Sequence, residues 1–207
     1  MKGKFITFEG CDGCGKSTQL KLLSEYLTNN SIPHIFTREP GGGKISEAIR
    51  GILLNGKNTE MSDECEALLY AAARAQHIHD RIHPALEDGK LVVCDRYVDS
   101  SFAYQAYARG LGFDFVAKIN AYALECYLPD LTFFNKLSPE DAFKRKHGAD
   151  ENDRMEQAGF AFHQKVYEGY LTLAEKYPDR FVVLNGKDSI EEIAATVLRV
   201  LKERSCL

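Results

Sequence analysis

A glycine-rich segment directly behind a short apolar run is the feature that most constrains this chain. Residues 10–18 read Gly-Cys-Asp-Gly-Cys-Gly-Lys-Ser-Thr, and residues 5–8 form the apolar run. The segment matches the pattern G-x-x-x-x-G-K-[ST], in which glycines let successive backbone N–H groups point at one anion. The following helix turns its positive end toward the same place. We therefore expect a strand, a phosphate-binding loop (P-loop) and a helix, in that order.

Each polar position of the P-loop has an expected role. Lys16 can reach the β- and γ-phosphates of ATP, and the Ser17 hydroxyl can bind Mg²⁺. Asp12 is unusual, because a carboxylate repels phosphate unless it faces away, toward hydrogen-bond donors. The residues expected to contact ATP are Gly10, Cys11, Asp12, Gly13, Cys14, Gly15, Lys16, Ser17 and Thr18.

Length and composition exclude several classes of protein. A chain of 207 residues favours one domain over residues 1–207. A formal net charge of −4 argues against a surface devoted to nucleic acid. There is no apolar run long enough to span a membrane, and residue 4 already begins a strand pattern, so neither a membrane segment nor a signal peptide is expected. These features predict a cytoplasmic protein without a membrane partner.

The six cysteines are scattered, which favours reduced thiols in a cytoplasmic enzyme. Cys11 and Cys14 form a C-x-x-C pattern and leave open a metal or redox pair. No second Cys/His pair has the spacing of a zinc site, which counts against the metal interpretation.

Strand and helix patterns alternate from one end of the chain to the other. Strands are predicted at residues 4–8, 34–37, 91–94, 131–134 and 180–184. Helices are predicted at residues 16–29, 45–54, 63–86, 101–109, 114–126, 139–146, 157–176 and 190–203. This order predicts an α/β fold with a five-stranded parallel sheet and helices on both faces. Ligands of such sheets bind outside the carboxyl ends of the strands.

Charged residues follow the third predicted strand at this edge of the sheet. Asp95 ends the strand, an arrangement that holds Mg²⁺ directly or through water, although a helix N-cap is an alternative. Arg96 follows, and its guanidinium can clamp a phosphate in bidentate geometry, with a surface salt bridge as the alternative.

Several further segments resemble the thymidylate kinase family, and the resemblance covers nearly the whole chain. They lie at residues 8–10, 37–42, 70–76, 95–97, 100–105, 109–110 and 153–156. The resemblance implies transfer of the γ-phosphoryl group of ATP to dTMP, giving dTDP and ADP, with Mg²⁺, as a step in dTTP synthesis. It also implies a homodimer.

The resemblance further implies roles for the residues of the acceptor site. Asp12 would face the sugar of dTMP, and Arg38 and Arg96 would hold its phosphate. Tyr70 would stack on the thymine ring while Arg74, four residues on and on the same helix face, would bind its edge. The other residues expected to contact the substrate are Ser101, Tyr104 and Gln105, with Tyr104 disfavouring a 2′-hydroxyl. Ordinary packing is an alternative for Tyr70, Ser101 and Tyr104.

A short mobile lid is expected at about residues 144–156, because the polar segment there interrupts the helical patterns. Gly13 stands where some family members have an arginine in the P-loop, so the lid is expected to supply the cation for the transferring group. Arg145 is the first choice and Arg154 the second. A solvated basic helix end is an alternative for Lys144 and Lys146. The expected catalytic set is Lys16, Arg38, Arg96, Arg145 and Asp12.

Two other functions use the same loop. A deoxynucleoside kinase would take an uncharged acceptor, which the two arginines at the acceptor phosphate disfavour. A P-loop switch without transfer chemistry would read guanine through N-K-x-D, but Ser138 follows Asn135-Lys136 where the aspartate is needed.

Overall fold

Five parallel strands form one sheet in the computed structural model, which describes residues 3–146 and 153–207. The strands are β1 (Phe5–Glu9), β2 (His34–Arg38), β3 (Leu91–Asp95), β4 (Leu131–Lys136) and β5 (Phe181–Asn185). Their order across the sheet is β2-β3-β1-β4-β5, with the strand of the P-loop at the centre. The predicted five-stranded parallel sheet is therefore confirmed.

Helices cover both faces of this sheet, because successive side chains of a strand point to opposite sides. Phe5 of β1 packs in the layer that contains Tyr170. Its neighbour Ile6 packs in the other layer, with Leu27 and Val197. The predicted two-sided cover is confirmed.

The described residues form ten α-helices, joined by short segments of other helical types. They are α1 (Lys16–Asn29), α2 (Lys44–Leu54), α3 (Asp63–His77), α4 (His83–Glu87), α5 (Val98–Ser101), α6 (Phe113–Ile119), α7 (Ala121–Cys126), α8 (Pro139–Lys146), α9 (Phe160–Lys176) and α10 (Ile190–Glu203). π-Helical turns span Ile78–Ile82 and Phe102–Ala108, and a 3₁₀ turn spans Glu156–Ala158. No helix among them is long and apolar enough to cross a membrane.

Two predicted helices are divided in the structure. The prediction for residues 63–86 is wrong at Ile78–Ile82, which is π-helical and precedes Pro84. Proline lacks an N–H and crowds the carbonyl four residues earlier, so a wider turn accommodates it. The prediction for residues 114–126 is wrong at Asn120, whose side chain donates to the carbonyl of Val116 and ends α6.

Two other boundaries also differ from prediction. The helical segment predicted at residues 101–109 begins at Val98 and is largely π-helical. The helix predicted at residues 157–176 begins at Phe160, because Gly159 adopts a positive φ of 85° and interrupts it. Within the predicted lid, residues 147–152 lie outside the described residues.

Candidate active site

Two cavities lie side by side at the carboxyl ends of the central strands. The P-loop cavity is lined by Asp12, Gly13, Gly15, Lys16, Ser17, Thr18, Arg38, Glu39, Arg50, Asp95, Arg96 and Arg145. The Arg74 cavity is lined by Asp12, Glu39, Pro40, Arg50, Leu54, Tyr70, Arg74, Arg96, Tyr97, Ser100, Ser101, Tyr104, Gln105, Asp153, Met155 and Glu156. Asp12 and Arg96 belong to both, so ligands in the two cavities would meet beside them.

The P-loop keeps its backbone close to strand β4. Gly10 has a φ of 135°, and a Cβ atom there would lie 2.8 Å from the carbonyl oxygen of Asn135. Only glycine fits both requirements. The Lys16 Nζ donates to the carbonyl oxygens of Gly10 at 3.1 Å and Cys11 at 3.3 Å. The amine therefore lies along the loop, whose own backbone holds it.

Asp12, the carboxylate in the loop, is paired with Arg96. Its Oδ1 accepts a hydrogen bond of 2.6 Å from Arg96 Nη2, and 34% of its side chain is exposed. Arg96 has a φ of 66°, an uncommon left-handed conformation for a bulky residue, directly after strand β3. Its Nη1 also donates to the Tyr170 hydroxyl at 3.2 Å, and its guanidinium lies 5.4 Å from the centre of the Tyr104 ring. The loop carboxylate thus faces a cation that it orients.

Asp95 and Ser17 provide oxygen groups in the P-loop cavity. Asp95 Oδ1 is buried and has no hydrogen-bond partner among residues 3–146 and 153–207, and Ser17 is exposed. No cluster of three His, Cys, Asp or Glu side chains that could hold a metal occurs among residues 3–146 and 153–207. One carboxylate and one hydroxyl beside phosphates suit Mg²⁺, which keeps several of its waters in protein sites.

Glu9 is fully buried and bonded to residues that line the Arg74 cavity, and it was missed as a site residue by the sequence reasoning. It accepts hydrogen bonds from the Tyr97 backbone N–H at 2.7 Å, the Ser100 hydroxyl at 2.6 Å and the Tyr170 hydroxyl at 2.7 Å. Burial raises the pKa of Glu9 to about 7. A carboxyl residue at the end of an otherwise apolar strand is the signal that could have identified it.

The Arg74 cavity gathers most of the residues predicted to bind the substrate. Those lining it are Asp12, Tyr70, Arg74, Arg96, Ser101, Tyr104 and Gln105. Arg38 does not line it. Arg38 lies in the P-loop cavity instead, where its exposed guanidinium pairs with Glu47 at 3.0 Å.

Arg74 is held by its neighbours before any ligand binds. Only 2% of its side chain is exposed. Its Nε donates to Glu39 at 2.8 Å. Its other hydrogen bonds run to the Ser101 hydroxyl, the Asn120 carbonyl oxygen and the Tyr97 backbone carbonyl. Because a guanidinium has five N–H donors, one on Nη2 stays available for a ligand.

Glu39 lies in the segment 37–42 that resembles the family but was given no role from the sequence, and it connects Arg74 to His77. Its Oε2 accepts from Arg74, and its Oε1 lies 2.9 Å from Nδ1 of the fully buried His77. His77 Nε2 lies 2.6 Å from the Thr37 hydroxyl. Arg50 was missed as well: it lines both cavities and donates to the Pro40 carbonyl at 2.9 Å. Arg50 carries no local sequence signal beyond its charge.

The two arginines predicted for the lid lie in different surroundings. Arg145, near the end of α8, is exposed and lines the P-loop cavity. Arg154 is only 11% exposed, and its Nη1 pairs with Glu66 at 2.7 Å. Its Nε donates to the Leu53 carbonyl at 3.0 Å. The geometry therefore favours Arg145 as the cation at the P-loop.

Cys11 and Cys14 are both buried free thiols. Burial raises the pKa of Cys11 to about 12. Because the thiolate is the form that binds metals and reacts with oxidants, this environment disfavours the metal and redox interpretations.

Comparison with known proteins identifies a family whose members bind nucleotides, as the arrangement of the two cavities suggests. The family model for thymidylate kinase matches residues 8–197. The thymidylate kinase of Clostridium novyi (strain NT) is 47% identical over 203 residues, which cover 97% of this chain and 99% of the relative. That of Lactobacillus acidophilus is 49% identical over 207 residues, covering 99% of this chain and 96% of the relative.

A solved structure agrees as well. The crystal structure of thymidylate kinase from Ehrlichia chaffeensis has a TM-score of 0.77 and 33% sequence identity to this chain. The match covers 98% of this chain and 99% of that one. The chain therefore belongs to the thymidylate kinase family, and its reaction is the ATP-dependent phosphorylation of dTMP to dTDP.

Proposed function

We propose that ATP binds in the P-loop cavity and dTMP in the Arg74 cavity, with their phosphates meeting beside Asp12 and Arg96. The observation that carries this proposal is that these two residues line both cavities. Phosphoryl transfer leaves little covalent work to the protein, so catalysis rests on position and on cations near the transferring group.

Four cations are proposed to act around the phosphates. Lys16 would leave the loop carbonyls for the β- and γ-phosphates of ATP, and Arg96, oriented by Asp12, would hold the phosphate of dTMP. Arg38 would assist Arg96 from the P-loop cavity. Arg145 would meet the transferring group from the lid. The environment of Arg154, paired with Glu66, supports an anchoring role at the end of the lid instead.

Ser17 and Asp95 are the residues that would hold Mg²⁺. The orphaned Asp95 Oδ1 supports this assignment. Bound Mg²⁺ would neutralise negative charge on the phosphates of ATP.

The thymine base is proposed to lie between Tyr70 and the polar groups of Arg74 and Gln105. Tyr70 would stack on the ring, and the free Nη2 hydrogen of Arg74 would donate to a carbonyl oxygen of the base. Ser101 holds Arg74 at 3.0 Å, which supports an indirect role. Tyr104 would pack near the sugar and disfavour a 2′-hydroxyl.

The proposal is tested by measuring ADP formation with MgATP and a panel of acceptors. The panel contains dTMP, dCMP, dGMP, dAMP, UMP and thymidine. We expect the highest kcat/KM with dTMP, because the base edge and the phosphate both have partners. Equal rates across the monophosphates would contradict the base assignments, and faster turnover of thymidine than of dTMP would contradict the phosphate clamp.

A homodimer in the cytoplasm is proposed as the working form. Exposed apolar side chains on α3 and α7, Leu68 and Tyr122, support a contact surface there. Light scattering coupled to size exclusion is expected to give twice the 23.2 kDa of the chain. A single-chain mass at micromolar concentration would contradict it.

A further inference from the structure

Glu66 lies one helical turn before Tyr70 on α3 and has no exposed side-chain surface. Its carboxylate meets two guanidinium groups, Arg109 Nη2 at 2.9 Å and Arg154 Nη1 at 2.7 Å. Gln105 Nε2 donates to Glu66 Oε1 at 2.8 Å, the oxygen that also accepts from Arg109 Nε at 3.3 Å. A buried carboxylate with these partners joins three parts of the chain that are far apart in sequence.

This contact determines which way the amide of Gln105 points. An ionised carboxylate accepts hydrogen bonds and donates none, so the NH₂ end of the amide must face it. The opposite orientation would bring two oxygens together and leave a buried acceptor unsatisfied. Gln105 lines the Arg74 cavity, so its carbonyl oxygen, at the end of the amide opposite Glu66, is the acceptor that it offers to a ligand there.

We propose that Glu66 is a positioning residue that fixes the Gln105 amide with its oxygen toward the base. The cavity then requires a hydrogen-bond donor at the ring nitrogen of its ligand. This inference rests on the proposed binding of dTMP in the Arg74 cavity. It assigns selection against amino-pyrimidine monophosphates to a residue that does not touch the substrate.

The chemistry of the two pyrimidines explains the selection. Thymine presents N3–H as a donor and O4 as an acceptor, which complement the Gln105 oxygen and the free N–H of Arg74. Cytosine presents the reverse pattern, because its N3 accepts and its 4-amino group donates. Both contacts would then be unmatched, and unpaired buried polar groups give strong rejection.

Two substitutions separate the charge of Glu66 from its reach. Glu66→Gln keeps the length but loses the charge, and its own amide can turn either end toward Gln105. Glu66→Asp keeps a negative charge that can pair with the two arginines. Its side chain is shorter by one methylene, so its carboxylate lies farther from the Gln105 amide. Glu64→Gln, an exposed glutamate on the same helix, is the matched control for the loss of one charge.

The kinetic experiment measures kcat and KM separately for dTMP, dCMP and ATP. In both Glu66 variants we expect the ratio of kcat/KM for dTMP over dCMP to fall about 10-fold or more, mainly through the KM for dTMP. The KM for ATP and all constants of Glu64→Gln are expected to match the wild type. An unchanged ratio in both variants overturns the proposal. A wild-type ratio in Glu66→Asp alone also overturns it, because charge rather than reach would then be responsible.

A spectroscopic measurement keeps the test independent of turnover. The side-chain amide of Gln105 can be assigned in ¹H–¹⁵N spectra by its loss in Gln105→Met. We expect its protons to be protected from exchange in the wild type and to lose that protection in Glu66→Asp. Unchanged protection overturns the proposal even if Glu66→Gln does not fold. Failure of the wild type to prefer dTMP would instead count against the proposed base site.

Discussion

The two cavities hold their functional groups in opposite ways. In the Arg74 cavity, Arg74 and Gln105 are buried and already bonded to the carboxylates Glu39 and Glu66. In the P-loop cavity, Lys16 lies on the carbonyls of its own loop, and Arg145 is exposed to solvent. The functional groups of the Arg74 cavity are thus fixed by buried carboxylates, whereas those of the P-loop cavity are held by backbone carbonyls or lie exposed.

This difference follows from what each cavity has to recognise. A base is recognised by a few hydrogen bonds, and these discriminate only if the donors and acceptors cannot reorient. A triphosphate is held by backbone N–H groups and mobile cations, which tolerate rearrangement. Substitutions in the Arg74 cavity should therefore lower both stability and affinity. Substitutions of P-loop cavity residues that are proposed to contact ATP alone, such as Lys16, should lower catalysis and leave dTMP binding nearly unchanged.

The largest expected effect is the loss of stability in Arg74→Ala. Removing the guanidinium leaves the Glu39 carboxylate buried without its strongest partner, which costs about 3–5 kcal/mol of unfolding free energy. Urea denaturation of the wild type and the variant measures this loss of unfolding free energy. Arg38→Ala is the control, because the Arg38 side chain is 50% exposed and its ion pair with Glu47 contributes about 1 kcal/mol or less. Equal stability of the two variants would mean that the Arg74 cavity is not preorganised.

Lys16→Ala should have the next largest effect, and on catalysis. We expect kcat to fall about 10²- to 10³-fold, since a cation that stabilises the transition state is lost. The Kd for dTMP without ATP, measured by calorimetry, should stay within about threefold of the wild type, because Lys16 does not line the Arg74 cavity. A parallel rise in the Kd would show that the two cavities do not act separately.

The sequence predicted residues of both cavities, but it did not predict the protein partners that hold the Arg74 cavity in place. The P-loop and its strand are specified by neighbouring residues, so a local pattern identifies them. Arg74 and Glu39 are 35 residues apart, and Gln105 and Glu66 are 39 apart. Only the fold brings such partners together.

The predicted arginines also show that a sequence does not reveal which residues will be partners in the fold. Arg145 and Arg154 both looked like lid cations in the sequence, because a charge alone does not reveal its partner. The buried Glu66 separates them in the structure. Arg38 and Arg96 were likewise expected to act together, but only Arg96 lines the Arg74 cavity. The division of the helix at Asn120 was missed because that residue accepts a hydrogen bond from Arg74, a contact made by the fold.

Glu9 tests whether preorganisation extends to the buried carboxyl group that accepts hydrogen bonds from Tyr97 and Ser100 of the Arg74 cavity. Because burial raises its pKa to about 7, above the usual value for an unfolded glutamate, its stabilising contribution is complete below about pH 4 and is lost as the pH rises through 7. The wild type should therefore lose roughly 2–3 kcal/mol of unfolding free energy between pH 5 and pH 8 relative to Glu9→Gln. Urea titrations at four pH values measure the difference. A difference that does not vary with pH would mean that Glu9 stays ionised in the folded protein.

The smallest expected effect distinguishes the two lid arginines. Arg145→Ala should lower kcat about 10- to 10²-fold, less than Lys16→Ala because water screens an exposed guanidinium until the site closes. Its unfolding free energy should change by about 0.5 kcal/mol or less, since Arg145 is exposed.

Arg154→Ala is the matched variant, and it should give the reverse pattern. Loss of its pairing with the buried Glu66 should lower the unfolding free energy and raise the KM for dTMP. Its kcat should change less than that of Arg145→Ala, because Arg154 is held away from the P-loop cavity by Glu66 and the Leu53 carbonyl. If Arg154→Ala lowers kcat more than Arg145→Ala does, the catalytic cation comes from the second half of the lid. The contrast between a rigid Arg74 cavity and an adaptable P-loop cavity would then not hold for these two arginines.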